Sequence, residues 1–202
     1  MSENSLNVLV VVGSLNRASV TRAVLAALAE KLRALECSVD VLDFAEEPLS
    51  LFNPESAYAS APYKPLQERV NRADVFVLGT PDYHGSMSSG IKNFLDHFWT
   101  EFAGKLFASV VASHEKGLTV TDQLRTVARQ CYAWSMPYGV SFSEREDLKD
   151  GQITSDAFKQ RLEMFAHDLN VYGRLLAQQR RADLAGRAPG FLARHRQAPG
   201  GK

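Results

Sequence analysis

Four short apolar runs rich in β-branched residues constrain the fold most strongly, because they alternate along the chain with segments of helical periodicity. The runs are LNVLVVV at 6–12, VDVLDF at 39–44, VFVLG at 75–79 and LFASVVA at 106–112, and a weaker fifth lies around 134–142. Near-continuous apolar character, rather than strict alternation, is typical of parallel strands covered on both faces. The pattern therefore predicts an α/β fold with a five-stranded parallel sheet.

The segments between the runs carry apolar residues at the three- and four-residue spacing of amphipathic helices. We predict helices that begin near Ser19, over 66–73, after the serine pair 88–89, over 122–131, and over 154–179 with Thr154 as N-cap. Right-handed crossovers between parallel strands would place these helices on both faces of the sheet, as a three-layer sandwich. For five parallel strands the flavodoxin-like order 2-1-3-4-5 is the common solution, and its ligand lies beyond the carboxyl ends of strands 1 and 3.

Composition narrows the class of protein further. A chain of 202 residues, 45% of them hydrophobic, can bury one core, so we predict a single domain over 1–180. The composition of 181–202 shifts to Arg, Ala, Gly and Pro, which predicts a disordered tail.

Basic and acidic residues balance at 23 each, which argues against nucleic acid or a membrane surface as partner. Two distant cysteines and the lack of a basic leader predict a cytoplasmic protein without a disulfide framework or a metal site.

The loop after the first run, GSLNRASVT at 13–21, has the composition of an anion site. The hydroxyls of Ser14, Ser19 and Thr21, with the first N–H groups of the helix from Val20, can all donate to a phosphate. An ordinary serine N-cap explains Ser19 equally well on its own. The loop lacks the further glycines of a dinucleotide fingerprint and the lysine of a Walker motif. A terminal monophosphate fits it best, and in a flavodoxin-like sheet that phosphate belongs to FMN.

A second loop, TPDYHGSMSSGIKN at 80–93, follows the third run and lies across the switch point from the first. Pro81 fixes a φ angle, Gly85 and Gly90 allow close backbone approach, and Tyr83 offers a flat face with a polar tip. A capped strand-to-helix turn would explain the glycines and serines, but not the proline, tyrosine and histidine between them. This composition is typical of a loop that holds an aromatic ring. In such a loop the simpler interpretation of His84 is a hydrogen-bonding residue and not a proton donor.

Together the motifs GSxxxxSxT and TPxYxGSxxxxIKNxLD resemble those of the NADPH-dependent FMN reductase family, a branch of the flavodoxin-like proteins that includes quinone, azo-dye and chromate reductases. The resemblance spans roughly residues 6–178. It implies that Ser14, Ser19 and Thr21 hold the FMN phosphate. It also implies that six residues frame the flavin ring: Pro81, Asp82, Tyr83, His84, Gly85 and Ser86.

The chain departs from the family pattern in two places. Asn16 stands where members often carry arginine, and Arg17 comes one position later, so an arginine contact to phosphate or pyridine nucleotide does not transfer. Members often have a glycine-rich loop after the fourth strand, where this chain reads SHEKGLT at 113–119. Only Ser113 and Gly117 match, and the resemblance assigns both to the flavin site. Backbone N–H groups near Gly117 are then candidates to stabilise the reduced flavin.

The predicted function is that of an oxidoreductase in which hydride passes from NADPH or NADH to FMN and on to free flavin, a quinone, an azo compound or a metal oxyanion. No side chain is assigned a catalytic proton transfer. Two alternatives stay open: a flavodoxin-type electron carrier, for which a neutral chain is unusual, and a binding protein that has lost its flavin, which the loop at 113–119 favours. The large apolar residues of the third helix, with Trp99 off the main stripe, predict a homodimer or homotetramer.

Overall fold

The computed structural model describes residues 5–187 and 190–197, and its centre is a parallel sheet between two layers of helices. The strands are β1 (Asn7–Val12), β2 (Ser38–Asp43), β3 (Val75–Tyr83), β4 (Ser86–Met87), β5 (Leu106–Ala112), β6 (Trp134–Ser135), β7 (Val140–Phe142), β8 (Leu148–Lys149) and β9 (Gln152–Ile153). The helices are α1 (Val20–Ala34), α2 (Tyr63–Arg72), α3 (Ser89–Asp96), α4 (Leu118–Gln130), α5 (Glu144–Asp147), α6 (Asp156–Ala185) and α7 (Phe191–Gln197).

The sheet has the predicted flavodoxin-like order. Its parallel strands run β2-β1-β3-β5, and the fifth position is shared by β6 and β7, which both pair with β5. The fifth strand is broken between these two pieces, where Pro137 supplies no N–H for a ladder. Strand β4 adds a short antiparallel pair at the carboxyl end of β3. The prediction of five parallel positions in the order 2-1-3-4-5 is confirmed.

Both faces of the sheet are covered, as the apolar runs predict. In β3, Val75 and Val77 face the cluster under α1 and α6, whereas Phe76 and Leu78 face the cluster under α2, α3 and α4. All four side chains have no exposed surface. The alternation places apolar side chains on both faces of every central strand, which is why these strands read as continuous apolar runs.

Serine hydroxyls begin three of the helices. Ser19 caps α1 as predicted, and of the serine pair it is Ser88 that caps α3. The prediction of Thr154 as cap of the long helix is wrong, because Ser155 Oγ accepts the hydrogen bond from Phe158 N at 3.2 Å. The backbone N–H of Thr154 instead donates to Asp147 O at 2.9 Å. The sequence pattern does not distinguish Thr154 from Ser155 as the cap, because both are hydroxyl residues; the contact between Thr154 and Asp147 does.

The carboxyl-terminal segment contains helix beyond residue 180, where the predicted domain ends. Helix α6 continues to Ala185, and residues 191–197 form α7, in which Ala193 is buried. Arg180 and Arg181 donate to the buried carboxylate of Asp74, at 2.8 and 3.3 Å. These ion pairs order a segment that has few apolar residues. The other parts of the predicted tail, 188–189 and 198–202, lie outside the described residues.

The apolar residues of the predicted third helix are buried within the chain. Helix α3 ends at Asp96, so Phe98 and Phe102 lie in the segment that follows it. All five of these residues are 4% exposed or less: Ile91, Phe94, Leu95, Phe98 and Phe102. Trp99 is 43% exposed, but its indole N–H donates to Gln130 O at 3.2 Å and its ring lies edge-on to His195. Excess apolar surface on this helix therefore gives no argument for a partner, and the oligomeric state stays a prediction.

Candidate functional site

The two sequence motifs meet at the carboxyl edge of the sheet. The segment after β1 is called here the serine loop (residues 13–19), and the end of β3 with its turn and β4 is called the hairpin (residues 80–88). Gly13 N donates to Gly79 O, and Ser88 Oγ donates to Gly13 O, both at 2.8 Å. A Cβ on Gly13 would lie 2.2 Å from Ile91 Cγ1, so only glycine allows α3 to approach this closely. The start of the serine loop is therefore locked to the start of α3.

The serine loop holds buried hydroxyl groups at the start of α1. Ser14 is 2% exposed and Thr21 is fully buried, whereas Ser19 is partly exposed. Ser19 Oγ accepts the hydrogen bond from Thr21 N at 3.2 Å, which leaves the Ser19 hydroxyl proton free to be donated outward. Thr21 Oγ1 is buried and has no partner anywhere in residues 5–187 or 190–197. An orphaned buried hydroxyl costs about 1–3 kcal/mol, so this position fits an external oxygen acceptor.

Arg22, which follows Thr21 on α1, binds the backbone carbonyl groups of the serine loop. Its guanidinium donates to Ser14 O at 3.2 Å, to Arg17 O at 2.8 Å and to Asn16 O. The same group donates through Nη2 to Asp43 Oδ1 at 2.9 Å and through Nε to Oδ2. These hydrogen bonds lower the pKa of Asp43 below its ordinary value and raise the pKa of Arg22. Sequence reasoning missed both residues.

The two residues that depart from the family motif have structural roles in this loop. Asn16 Oδ1 accepts the hydrogen bond from Ala18 N at 3.0 Å, which forms a side-chain turn. Arg17 is 75% exposed in its side chain and pairs with Glu46 at 2.8 Å. A pair this exposed contributes little to stability. The Arg17 side chain is therefore turned to the surface and held there by an acidic neighbour.

The hairpin turns through two residues with positive φ. Asp82 pairs with Met87 and Tyr83 with Ser86, so His84 and Gly85 form the turn, at φ of +57° and +73°. A two-residue turn of this kind requires positive φ at both positions and matches the twist of the strands. The role of His84 is therefore to adopt the backbone conformation of the turn. Its side chain is exposed, as is the ring of the neighbouring Tyr83.

A carboxylate joins the hairpin to the loop before α4, called here the α4 loop (residues 113–117). Asp82 Oδ1 accepts from Gly85 N at 2.9 Å, and Asp82 Oδ2 accepts from Ser113 Oγ at 2.8 Å. Gly117 is buried at the base of this loop with φ of +59°, directly before α4. The three residues that depart from the family pattern, 114–116, are exposed. Ser113 and Gly117 therefore hold the ends of the α4 loop.

Gln123 on α4 is a second residue that sequence reasoning missed. Its Oε1 accepts from Met87 N at 3.1 Å and from Ser86 Oγ at 3.2 Å, and its Nε2 donates to Gly85 O at 3.3 Å. One neutral amide therefore fixes three polar groups of the hairpin. The helical spacing of α4 gives no signal for this role, because Gln123 is one polar residue among several on an amphipathic helix.

All twelve predicted site residues lie in, or directly after, these three segments at one edge of the sheet. In the part of the chain that the structure describes, no cluster of three or more His, Cys, Asp and Glu side chains could hold a metal ion. Burial raises the pKa of the Cys131 thiol to about 11, and Cys37 is buried as well, so neither thiol is a candidate nucleophile. No described helix has the length and apolar character to cross a bilayer.

Comparison with known proteins defines the class. The model of the NADPH-dependent FMN reductase family matches residues 6–147. An FMN-dependent NADPH-azoreductase of Staphylococcus haemolyticus is 30% identical over 173 residues, which cover 80% of this chain and 92% of that protein. The chain therefore belongs to the NADPH-dependent FMN reductase family, and it is an oxidoreductase.

Solved structures confirm the fold. The flavoenzyme NAD(P)H:(acceptor) oxidoreductase FerB of Paracoccus denitrificans superposes with a TM-score of 0.68 at 19% identity, over 86% of this chain and 98% of that one. A flavodoxin of Streptococcus pneumoniae TIGR4 superposes with a TM-score of 0.57 at 18% identity, over 83% and 99% of the two chains. The flavodoxin-like architecture is thus shared by enzymes and by a flavodoxin.

Proposed function

We propose that the protein binds FMN at the carboxyl edge of its sheet and uses it to pass electrons from NADPH to a small electron acceptor. Family membership supports FMN and NADPH. The observation that carries the placement is the buried, unpartnered Thr21 Oγ1 in the first turn of α1. A phosphate is the acceptor that best fits this position, because hydroxyl groups and the N–H groups of a helix N-terminus converge there.

In this proposal the serine loop holds the phosphate. Ser14, Ser19 and Thr21 donate through their hydroxyls, and Val20 donates through its backbone N–H. Hydrogen bonds to a charged partner contribute about 1.5–3 kcal/mol each, so three of them suffice to make FMN bind more tightly than riboflavin. The dipole of α1 adds to this preference.

The hairpin and the α4 loop hold the ring. Tyr83, which is 56% exposed, provides an aromatic wall, and the main-chain groups of Pro81, Asp82, Gly85 and Ser86 provide polar contacts. His84 orients this edge by forming the turn. In this proposal the N–H groups near Gly117 donate toward the pyrimidine side, and Ser113, whose hydroxyl donates to Asp82, holds the α4 loop against the hairpin. When bound, FMN supplies the capacity to accept a hydride and return two electrons, and the protein contributes binding and orientation.

The acceptor we propose is a quinone or an azo compound. The Staphylococcus haemolyticus relative is named an azoreductase, whereas FerB is named an oxidoreductase of an unspecified acceptor. Both acceptor types are flat and conjugated, which suits a site whose exposed wall is a tyrosine ring. Free flavin and metal oxyanions are the other acceptors to be assayed beside them.

The experiment is an absorption spectrum of the protein loaded with FMN, desalted, and then titrated anaerobically with NADPH or NADH. We expect a flavin band that survives desalting, bleaches with NADPH and returns on addition of a quinone or azo dye. A retained band that no nicotinamide bleaches would favour the electron carrier. A bleaching reaction that needs added FMN would make FMN a substrate, and no binding of FMN at any concentration would contradict the proposal.

A variant tests the placement of the phosphate. Thr21→Val keeps the side-chain shape and removes the hydroxyl, so we expect FMN affinity to fall roughly 10- to 100-fold while riboflavin affinity stays unchanged. Thr126→Val, on the exposed side of α4, is the matched control. Equal losses for FMN and riboflavin would place the phosphate elsewhere.

A further inference from the structure

We propose that Arg22, anchored by Asp43, is a positioning residue that turns the backbone N–H groups of the serine loop toward the FMN phosphate without touching the phosphate itself. The inference rests on the proposed function and deepens it. It assigns a role to a charged pair that lies outside both sequence motifs, and it predicts that a negative side chain near the site strengthens the binding of a negative ligand.

The hydrogen bonds of Arg22 use all of its donors. A guanidinium has five N–H groups. The Nε proton and one Nη2 proton go to Asp43, the other Nη2 proton goes to Ser14 O, and the two Nη1 protons go to Asn16 O and Arg17 O. No donor is left for a ligand. The positive charge of Arg22 is likewise matched by Asp43.

These contacts fix the direction of the loop amides. A trans peptide is planar, so the C=O of one residue and the N–H of the next point in opposite directions. Because the carbonyls of Ser14 and Asn16 point to Arg22, the N–H groups of Leu15 and Arg17 point away from it. Within the described part of the chain neither N–H has an acceptor. One cation bound on the carbonyl side thereby presents donors on the other side, as an anion site requires.

Asp43 anchors this arrangement to the sheet. It is the last residue of β2 and pairs in register with Val12, the last residue of β1. The Asp43 and Arg22 side chains are 15% and 23% exposed, which is far more buried than the Arg17–Glu46 pair of the same region. A partly buried, bidentate pair of this kind holds its geometry, whereas a surface pair is largely screened.

Substituting Asp43 separates this proposal from a direct contact between Arg22 and phosphate. If Arg22 were a phosphate ligand, Asp43→Asn would free the guanidinium and remove a repulsive charge, so FMN would bind more tightly. If Arg22 positions the loop, Asp43→Asn loosens it and FMN affinity falls about tenfold or more. Glu46→Gln is the matched control, because it removes the same charge from the exposed pair nearby.

The experiment measures FMN and riboflavin affinities of wild type, Asp43→Asn, Arg22→Lys and Glu46→Gln, together with backbone ¹⁵N order parameters of residues 14–18 in the flavin-free proteins. We expect Asp43→Asn and Arg22→Lys to lose FMN affinity, to keep riboflavin affinity and to show lower order parameters in the serine loop alone. Glu46→Gln should behave like wild type. Arg22→Lys keeps the positive charge but cannot make the bidentate hydrogen bonds of a guanidinium. The order parameters of the sheet residues check that this variant is folded.

The outcomes separate the two proposals. Wild type that binds FMN in preference to riboflavin, with Asp43→Asn unchanged or tighter, overturns the positioning role and leaves the proposed function intact. Wild type that does not bind FMN overturns both. Equal losses of FMN and riboflavin in Asp43→Asn show general damage to the site and also overturn the positioning role.

Discussion

The serine loop and the hairpin flank the same site, but different chemistry holds them. The serine loop is held by a cation, Arg22, which binds backbone carbonyls and is itself bound to Asp43. The hairpin is held by a neutral amide, Gln123, which binds a carbonyl, an N–H and a hydroxyl. A cation on the carbonyl side leaves N–H groups for an anion. An amide that uses donor and acceptor together adds no charge, which under the proposed function would suit the uncharged ring of the oxidised flavin.

The hairpin also has more independent supports than the serine loop. Its turn has the backbone conformation of a two-residue hairpin, and Asp82 ties the turn to Ser113. Loss of one support should therefore change the hairpin less than loss of the Arg22–Asp43 pair changes the serine loop. Binding of FMN compared with riboflavin distinguishes the two regions, since only FMN has the phosphate.

The largest effect is expected at Gly13, where both regions meet. In Gly13→Ala the new Cβ would lie 2.2 Å from Ile91 Cγ1 and 2.8 Å from Gly79 O, so strand β1, strand β3 or α3 must shift. Overpacking of this kind costs about 1–3 kcal/mol of unfolding free energy, and we expect binding of FMN and riboflavin to be lost together. Chemical denaturation and flavin titration measure both effects.

The control for Gly13→Ala is Gly190→Ala, which adds a Cβ where nothing lies within 4 Å. Wild-type stability for Gly13→Ala would show that the contact between the serine loop and α3 is less tight than described.

The second effect is expected at Gln123. Gln123→Leu removes three hydrogen bonds to the hairpin, and we expect FMN and riboflavin affinities to fall by the same factor of roughly tenfold, since about 1.4 kcal/mol corresponds to that factor. Gln130→Leu, on the same helix, is the control. A loss confined to FMN would mean that Gln123 acts on the phosphate side, which would break the comparison between the two regions.

The sequence predicts the sheet order, both motif loops and the helix starts at Ser19 and Ser88, because apolar runs, caps and turn residues are local signals. Arg22, Asp43 and Gln123 were missed for a common physical reason. Their partners include backbone atoms that the fold brings close, and a backbone carbonyl leaves no mark in the sequence.

The helical structure beyond residue 180 was not predicted, for a related reason. Arg180 is ordered by Asp74, which lies 106 residues earlier in the chain. Composition alone could not reveal this long-range ion pair. Predictions from pattern thus succeed where the signal is local and fail where order depends on tertiary contacts.

A smaller effect, of opposite sign, is expected at His84. The residue has φ of +57°, where a side chain costs about 1–2 kcal/mol relative to glycine. His84→Gly should therefore raise stability by up to about 1 kcal/mol, after the greater chain entropy of glycine is subtracted, and leave the rate of flavin reduction by NADPH unchanged. Stopped-flow reduction checks the second point, and a large fall in rate would give the imidazole a chemical role. His114→Gly, in the exposed α4 loop, is the comparison variant.

The smallest effect is expected from mild acid, which tests the charged Arg22–Asp43 pair. Since hydrogen bonds from Arg22 lower the pKa of Asp43, its contribution to order is present above the ordinary aspartate pKa of about 3.9 and is lost only as pH falls through the lower, folded-state pKa. Order parameters of residues 14–18 should therefore stay constant from pH 7 to about 5 and fall only as the pH drops below the ordinary aspartate range. Besides Arg22, Arg17 also acts electrostatically on Asp43, and Glu46 acts on Arg22, so Glu46→Gln measures the contribution of the exposed Arg17–Glu46 pair. Loosening of the serine loop already at pH 5 would contradict the role of the Arg22–Asp43 pair in ordering this loop, because both groups should be fully ionised at that pH.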